Sequence, residues 1–443
     1  MTSSTGDFTG AVHQNPYLAA GTREVHAVIT VDARGNPETA APTAAEVIIV
    51  DCSGSMGFPA EKIVKVKEAV RAAIDELRDG ARFALIAGSA GGRMLWPAEP
   101  ALAVADSRTR SQAKDALRRL DPGGGTTIGA WLRLAGQLLA EHPAAIRHAI
   151  LLTDGRNQHE SAEQLHAAVR DCAGLFRCDC RGVGTDWSMA ELRMICSALG
   201  GTVDLVAEPA DLAEHFRALM ATSMRKSIAE VDLRLWTPVG ATVRFVKQTA
   251  PTLLALSPHR THVDPLTSDY PTASWGTESR DYHICIDVEP GGVGEEKLAG
   301  RVTFVQTGAH GSAQRLRQVF RHTEPDGSTN EFPDARIRAI WTEDLALSTV
   351  INDKVALVTG RAELAKAVQD GLAAHRATEA DLAVDCLNRA RKLAEEYDED
   401  SVLARLDRIF DPDTGTFQLD QLSAREEMGL DIESTKTTPL SRG

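Results

Sequence analysis

Nowhere in its 443 residues does the chain carry an apolar run approaching the ~20 residues that a membrane helix needs. The opening Met1 to Gly10 is small and polar, without the apolar stretch of a signal sequence. The expectation is a cytoplasmic protein with no membrane contact. A basic surplus is missing too. The formal net charge is −14 and no run of lysine or arginine offsets it, so a phosphate backbone would meet a repulsive field and duplex nucleic-acid binding is not expected. Cysteine is scarce, and seven residues without a secretion signal do not suggest a disulfide framework. Cys178 and Cys180 alternate in a strand-like stretch between Cys172 and Cys196, but the spacing matches no zinc motif, so these thiols read as small core residues. Also absent are the lysine that would turn Gly123-Gly124-Gly125 into a nucleotide-binding loop and any repeated period of about 34 residues. What remains is ordinary globular composition, 43% hydrophobic and 25% charged, over a length sufficient for two or three domains.

The chain is organised around Asp51-Cys52-Ser53-Gly54-Ser55, which directly follows Val47-Ile48-Ile49-Val50 and directly precedes a helical pattern opening near Pro59. The β-branched run predicts a strand buried on both faces, which puts the motif at the strand's carboxyl end, where open α/β sheets bind ligands. A carboxylate and two hydroxyls on one turn are hard oxygen donors suited to Mg2+ or Mn2+. By themselves, these five residues are better read as a polar strand-to-helix turn with Ser as an N-cap. Cys52 lies inside the motif, but a thiolate is a poor Mg2+ ligand and its side chain alternates away from the others.

Two later stretches change that balance. Gly123-Gly124-Gly125-Thr126-Thr127 precedes an amphipathic helix, and Ala149-Ile150-Leu151-Leu152-Thr153-Asp154-Gly155 is a second buried strand ending in an acid. In order, context and spacing the three pieces resemble the metal-ion-dependent adhesion site of the von Willebrand factor type A family. The resemblance covers Ala44 to about Lys226 and implies a doubly wound, mostly parallel sheet. It carries over Asp51, Ser53 and Ser55 as the first motif, Thr126 as the hydroxyl of the second loop and Asp154 as the acid of the third. It also implies bound Mg2+ or Mn2+ and one coordination position left for a Glu or Asp supplied by a protein partner.

The rest of the pattern agrees with an α/β class for this region. Ile63, Val66, Val70, Ile74 and Leu77 recur at helical spacing, Phe83 to Ala87 is a strand, and Met94 to Trp96 reads as a hairpin partner at the sheet edge. Trp131 falls on the apolar stripe of the helix after Thr127, a core position rather than a binding platform. Ser161 with Gln164 and Ser188 with Glu191 are capping boxes that open two further helices.

On either side the texture differs. The expected divisions are 1–42, an N-terminal tail to about Tyr17 followed by a strand (Val25 to Val31) that joins a β-sandwich, then 43–226, the metal-site domain, and 227–340, the β-sandwich proper. Residues 341–412 form two or three short helices resembling one tetratricopeptide-like hairpin, and 413–443 a flexible tail. Asp411-Pro412-Asp413-Thr414-Gly415 is a turn, because its glycine is one position early for a calcium loop and no glutamate follows at the twelfth position.

The function expected from these residues is Mg2+-dependent protein binding by a scaffold or regulator, not catalysis, because one metal with no evident base or second metal cluster is a thin catalytic apparatus. Two alternatives remain, a metal-dependent hydrolase or phosphatase and an ATPase-associated subunit of a chelatase-like complex. Over its whole length the order of domains resembles bacterial proteins of the same family. His159 could meet a partner or act as a base, although a solvated loop histidine is the simpler reading. In the tail, Thr435, Thr437 and Thr438 are candidate phosphorylation sites, and Thr437 with Leu440 three residues on resembles the phosphothreonine pattern read by forkhead-associated domains.

Overall fold

A computed structural model describes residues 6–35, 43–206, 208–307, 313–323 and 327–440. Part of the expected connector from Asp32 to Pro42 lies outside them. The central unit is an α/β layer built on a sheet whose strands run, in spatial order, Val203–Val206, Arg177–Val183, Ile146–Thr153, Ala44–Asp51, Arg82–Gly88 and Gly92–Trp96. All pairings are parallel except that of the edge strand Gly92–Trp96, and the short Ala103–Val104 also pairs antiparallel with Arg82–Gly88. Every residue of Ala44–Asp51 is buried because helices cover both faces. Ala60–Asp75 and Leu212–Met224 pack on one face through Val66, Val70, Phe216 and Met220. Ile128–Ala140, Ala162–Cys172 and Met189–Ala198 pack on the other through Trp131, Leu132, Leu165 and Leu192. From Ala44–Asp51 the chain moves first to the neighbour on one side and later returns to Ile146–Thr153 on the other. The crevice at this switch point is flanked by the carboxyl ends of both strands.

The second unit is a β-sandwich of two seven-stranded sheets. Strand Glu24–Gly35 sits in one of them, between Gly6–His13 and Glu278–Asp287, so the α/β unit is inserted between strands of the sandwich. Alternation on Val231–Trp236, buried at every second residue, supplies the inward face of the opposite sheet. The core between the sheets is aromatic, with Phe8 5.1 Å from Trp275 and 5.4 Å from Phe304 by ring centroids.

Phe8 marks a correction to the expected tail. Gly6–His13 is an interior strand, antiparallel to Glu24–Gly35 and parallel to Arg317–Thr323. Its apolar alternation is broken at Gly10, where an added Cβ would lie 2.2 Å from Thr30 O and 2.8 Å from the Phe320 ring. The close approach that demands glycine also hides the strand from a reading of periodicity.

The carboxyl-terminal region differs in a similar way. Its helices are not all short: Asp353–Arg376 spans 24 residues and pairs with Ala380–Glu396, followed by Asp400–Asp407. The helix pair is close at Gly371, where an added Cβ would be 2.9 Å from Leu387 Cγ. The stretch 413–440 is not a free tail. Asp411 and Thr416 close a two-stranded hairpin, and Ser423 opens the helix Ala424–Thr435 with a capping box to Glu426. That helix buries Leu430 among the C-terminal helices and Ile432 in the α/β core, and its Thr435 O accepts from Leu253 N of the sandwich at 3.0 Å, so the helix ties the three units together.

Candidate metal centre

Three loops meet at the switch point, and backbone hydrogen bonds hold them together. Gly54 N donates to Gly124 O at 3.1 Å and Gly123 N to Cys52 O at 2.8 Å, which joins the first loop to the second. The third loop closes the N-terminus of Ile128–Ala140, with Asn157 Oδ1 accepting from Ile128 N at 3.0 Å and Glu160 Oε2 from Gly129 N at 2.8 Å. These acceptors satisfy helix donors that have no intrahelical partner, and the Glu160 carboxylate also complements the helix dipole. His159 contributes to the same joint. Its Nδ1 accepts from Thr126 N at 3.1 Å while its own N–H donates to Thr126 O at 3.1 Å. It therefore positions the second loop, a role that its sequence context did not signal.

Asp51, Ser53, Ser55, Thr126 and Asp154 are brought together within this joint. Both oxygens of Asp51 are engaged, Oδ1 by Ser53 N at 2.8 Å and Oδ2 by Thr153 Oγ1 at 2.6 Å. Ser55 Oγ donates to Asp154 Oδ1 at 2.7 Å and lies 3.1 Å from Ser53 Oγ. Burial pushes the Asp51 carboxyl above its usual range, opposed by the hydrogen bonds from Thr153 and Ser53 and reinforced by the nearby Asp154 charge. Cys52 faces away, its Sγ 3.1 Å from Gly88 O. Trp131 is core, its Nε1 donating to Ser89 O at 2.9 Å.

The donor set fits a hard divalent cation. A Cβ added to Gly155 would fall 3.5 Å from Ser55 Oγ, 3.6 Å from Thr126 Oγ1 and 4.0 Å from Asp51 Oδ2. Oxygens from the first two loops therefore face one point beside the third, a cradle of oxygen donors with no sulfur or nitrogen among these three atoms. A side chain at residue 155 would extend into that space.

One participant was missed from the sequence. Lys62 Nζ donates to Asp154 Oδ2 at 2.6 Å from the first turn of Ala60–Asp75. Its signal was present, since Lys62 lies four residues before Val66 on the stripe that faces the sheet. A lysine at a buried helical position requires a paired acid.

The threonines expected to be free behave differently. Thr437 Oγ1 donates to Thr249 O, its N–H donates to Pro251 O at 2.9 Å, and Leu440 N donates to Asp281 Oδ2 at 2.6 Å. Thr435 is partly buried at the end of its helix, with Oγ1 donating to Ile432 O at 2.9 Å, and Thr438 alone of the three is exposed. A phosphothreonine reader could reach Thr437 only after this segment had left the sandwich.

Comparison with known proteins agrees with the fold. No curated protein matches the chain at a significant level. The chain is similar along its whole length to a solved von Willebrand factor type A protein from Catenulispora acidiphila, 45% identical, with a TM-score of 0.89 over 99% of this chain and 98% of that one. The ArnB paralog VWA2 from Sulfolobus acidocaldarius, 12% identical, shares the fold with a TM-score of 0.58 over 97% of both chains. Residues 45–205 match the profile of the von Willebrand factor type A domain, and with the extended likeness to the Catenulispora protein this shows that the chain belongs to the von Willebrand factor type A family.

Proposed function

We propose that the protein is a Mg2+-dependent binding module of the cytoplasm that engages an acidic residue of a partner protein through Asp51, Ser53, Ser55, Thr126 and Asp154. The observation that carries this reading is the oxygen cradle facing Gly155. Charge supports it. Two carboxylates against the single ammonium of Lys62 leave one negative charge in a buried site, and a divalent cation would turn that into one positive charge. An anionic ligand atom at the mouth then completes neutrality, and a Glu or Asp side chain has the right charge and donor type. Phe58, 84% exposed at the rim just beyond Ser55, offers apolar area that a docked partner would cover. Unpaired cysteines fit a reducing compartment, and among the described residues no helix is long and apolar enough to cross a membrane.

The test pairs calorimetry with capture. Mg2+ binding should be lost in Asp51→Ala and Asp154→Ala, and proteins retained by the wild-type chain should be released by chelator. Thr126→Ala should retain less of the same partners while its melting temperature changes little. Undiminished Mg2+ affinity in both acid variants would show the site to be wrongly assigned.

A further inference from the structure

A second cluster of ligand-type side chains lies on the sandwich, away from the oxygen cradle. Glu24 and His26, two residues apart on Glu24–Gly35, share the face opposite the core residues Val25 and Ala27. Cys285 on the neighbouring strand Glu278–Asp287 is directly paired with His26, which puts its side chain on the same face. Glu24 Oε1 lies 2.6 Å and Cys285 Sγ 3.8 Å from a single atom, His26 Nε2. All three ligand atoms fall within 4.8 Å of one another. We infer that Glu24, His26 and Cys285 form a zinc site.

Three observations support this assignment over an ordinary glutamate–histidine pair. The first is the donor set: thiolate, imidazole and carboxylate are the ligands Zn2+ takes in tetrahedral sites, and the thiolate and imidazole do not suit Mg2+. The second is support for the imidazole. His26 Nδ1 lies 3.0 Å from Nε2 of His283, which is only 3% exposed, so an Nδ1–H donated there leaves Nε2 free for the metal. The third is access. Cys285 is 1% exposed, whereas the side chains of Glu24 and His26 are 40% and 33% exposed, so the cluster is closed below and open toward solvent.

The charges around the cluster are mixed, Arg244 and Lys247 against Asp287. Arg244 pairs with Glu24 Oε2 and lies 3.3 Å from Asp287 Oδ2, which leaves Glu24 Oε1 to the cluster. Lys247 Nζ sits 4.2 Å from the centroid of the Phe245 ring. Zinc–ligand bonds of about 2.0–2.3 Å set ligand–ligand edges of roughly 3.3–3.7 Å in a tetrahedron. The 2.6 Å contact of Glu24 must therefore widen, and this long, partly exposed side chain can move. Binding expels the Cys285 thiol proton to solvent and leaves a fourth position for water or an added ligand.

The test uses the full chain, stripped with chelator and titrated with Co2+ as a spectroscopic stand-in for Zn2+. The wild type should develop a thiolate-to-cobalt charge-transfer band that Zn2+ abolishes. Asp51→Ala should keep the band, whereas Cys285→Ser and, independently, the more exposed His26→Gln should lose it with an unchanged circular dichroism spectrum. His283→Ala should weaken Zn2+ binding by about 10- to 100-fold. A wild type without the band, or a Cys285→Ser variant with it at full strength, overturns the assignment.

Discussion

Lys62 and Asp154 form an ion pair of 2.6 Å whose side chains are 10% and 0% exposed, so an internal cation already neutralises one acid of the oxygen cradle. A buried pair of this kind is sensitive to loss of one partner, because the survivor keeps its desolvation cost without its counter-charge.

The first prediction concerns that lysine. Lys62→Met should destabilise the metal-free protein by about 3–5 kcal/mol, the range for breaking a buried pair. It should at the same time bind Mg2+ more tightly, since the cation no longer shares Asp154 with an ammonium. Thermal melts in chelator and in Mg2+ are the measurement, and Mg2+ should raise the melting temperature more in the variant than in the wild type.

A second prediction follows from the opposite end of the same sheet. His148 Nδ1 is 2.8 Å from Glu46 Oε2 and its Nε2 is 2.9 Å from Asp179 Oδ2, all three side chains being buried. Burial alone would depress the histidine, but the two carboxylates outweigh it and raise it from 6.5 to about 9. A folded value above the unfolded one stabilises fully below pH 6.5 and is lost as pH climbs through about 9. Denaturant unfolding should therefore show stability falling by on the order of 3 kcal/mol across that window. His148→Gln should be less stable at pH 6 and should lack that fall.

The carboxyl-terminal threonines yield a third. Thr437→Val should cost about 1 kcal/mol by removing the hydrogen bond to Thr249 O. Intact-mass analysis of protein from its native host should find no phosphate on Thr437. Stoichiometric phosphorylation there would mean that residues 436–440 leave the sandwich in the cell.

The fourth concerns the hidden strand. Gly10→Ala places a Cβ 2.2 Å from the Thr30 carbonyl oxygen, a backbone atom that cannot swing away. The variant should lose about 1–3 kcal/mol by overpacking, measured by denaturant unfolding. An equally stable variant would show that the Gly6–His13 strand does not hold this register.

The elements most legible in the sequence are those whose signal is local. Val47 to Val50 is a run of β-branched residues that only a doubly covered strand accommodates, and the acid and hydroxyls that follow are fixed to its carboxyl end by chain continuity. The same holds for the capping box at Ser161, where both partners lie within four residues. Tertiary structure decided the rest, because the partners are remote. Glu24, His26 and Cys285 become a cluster only when strands 259 residues apart in sequence pair in one register. Glu46, His148 and Asp179 likewise meet on three adjacent strands, and no one of them has a local reason to be charged in a core. Gly6–His13 and the segment after Ala424 look weak by periodicity because each was shaped by the surface it contacts, a carbonyl at Thr30 in one case and the sandwich edge at Thr249 to Pro251 in the other. Side-chain pattern reports which face of an element is apolar, whereas the approach of two backbones and the pairing of buried charges are set by the register that the whole chain adopts.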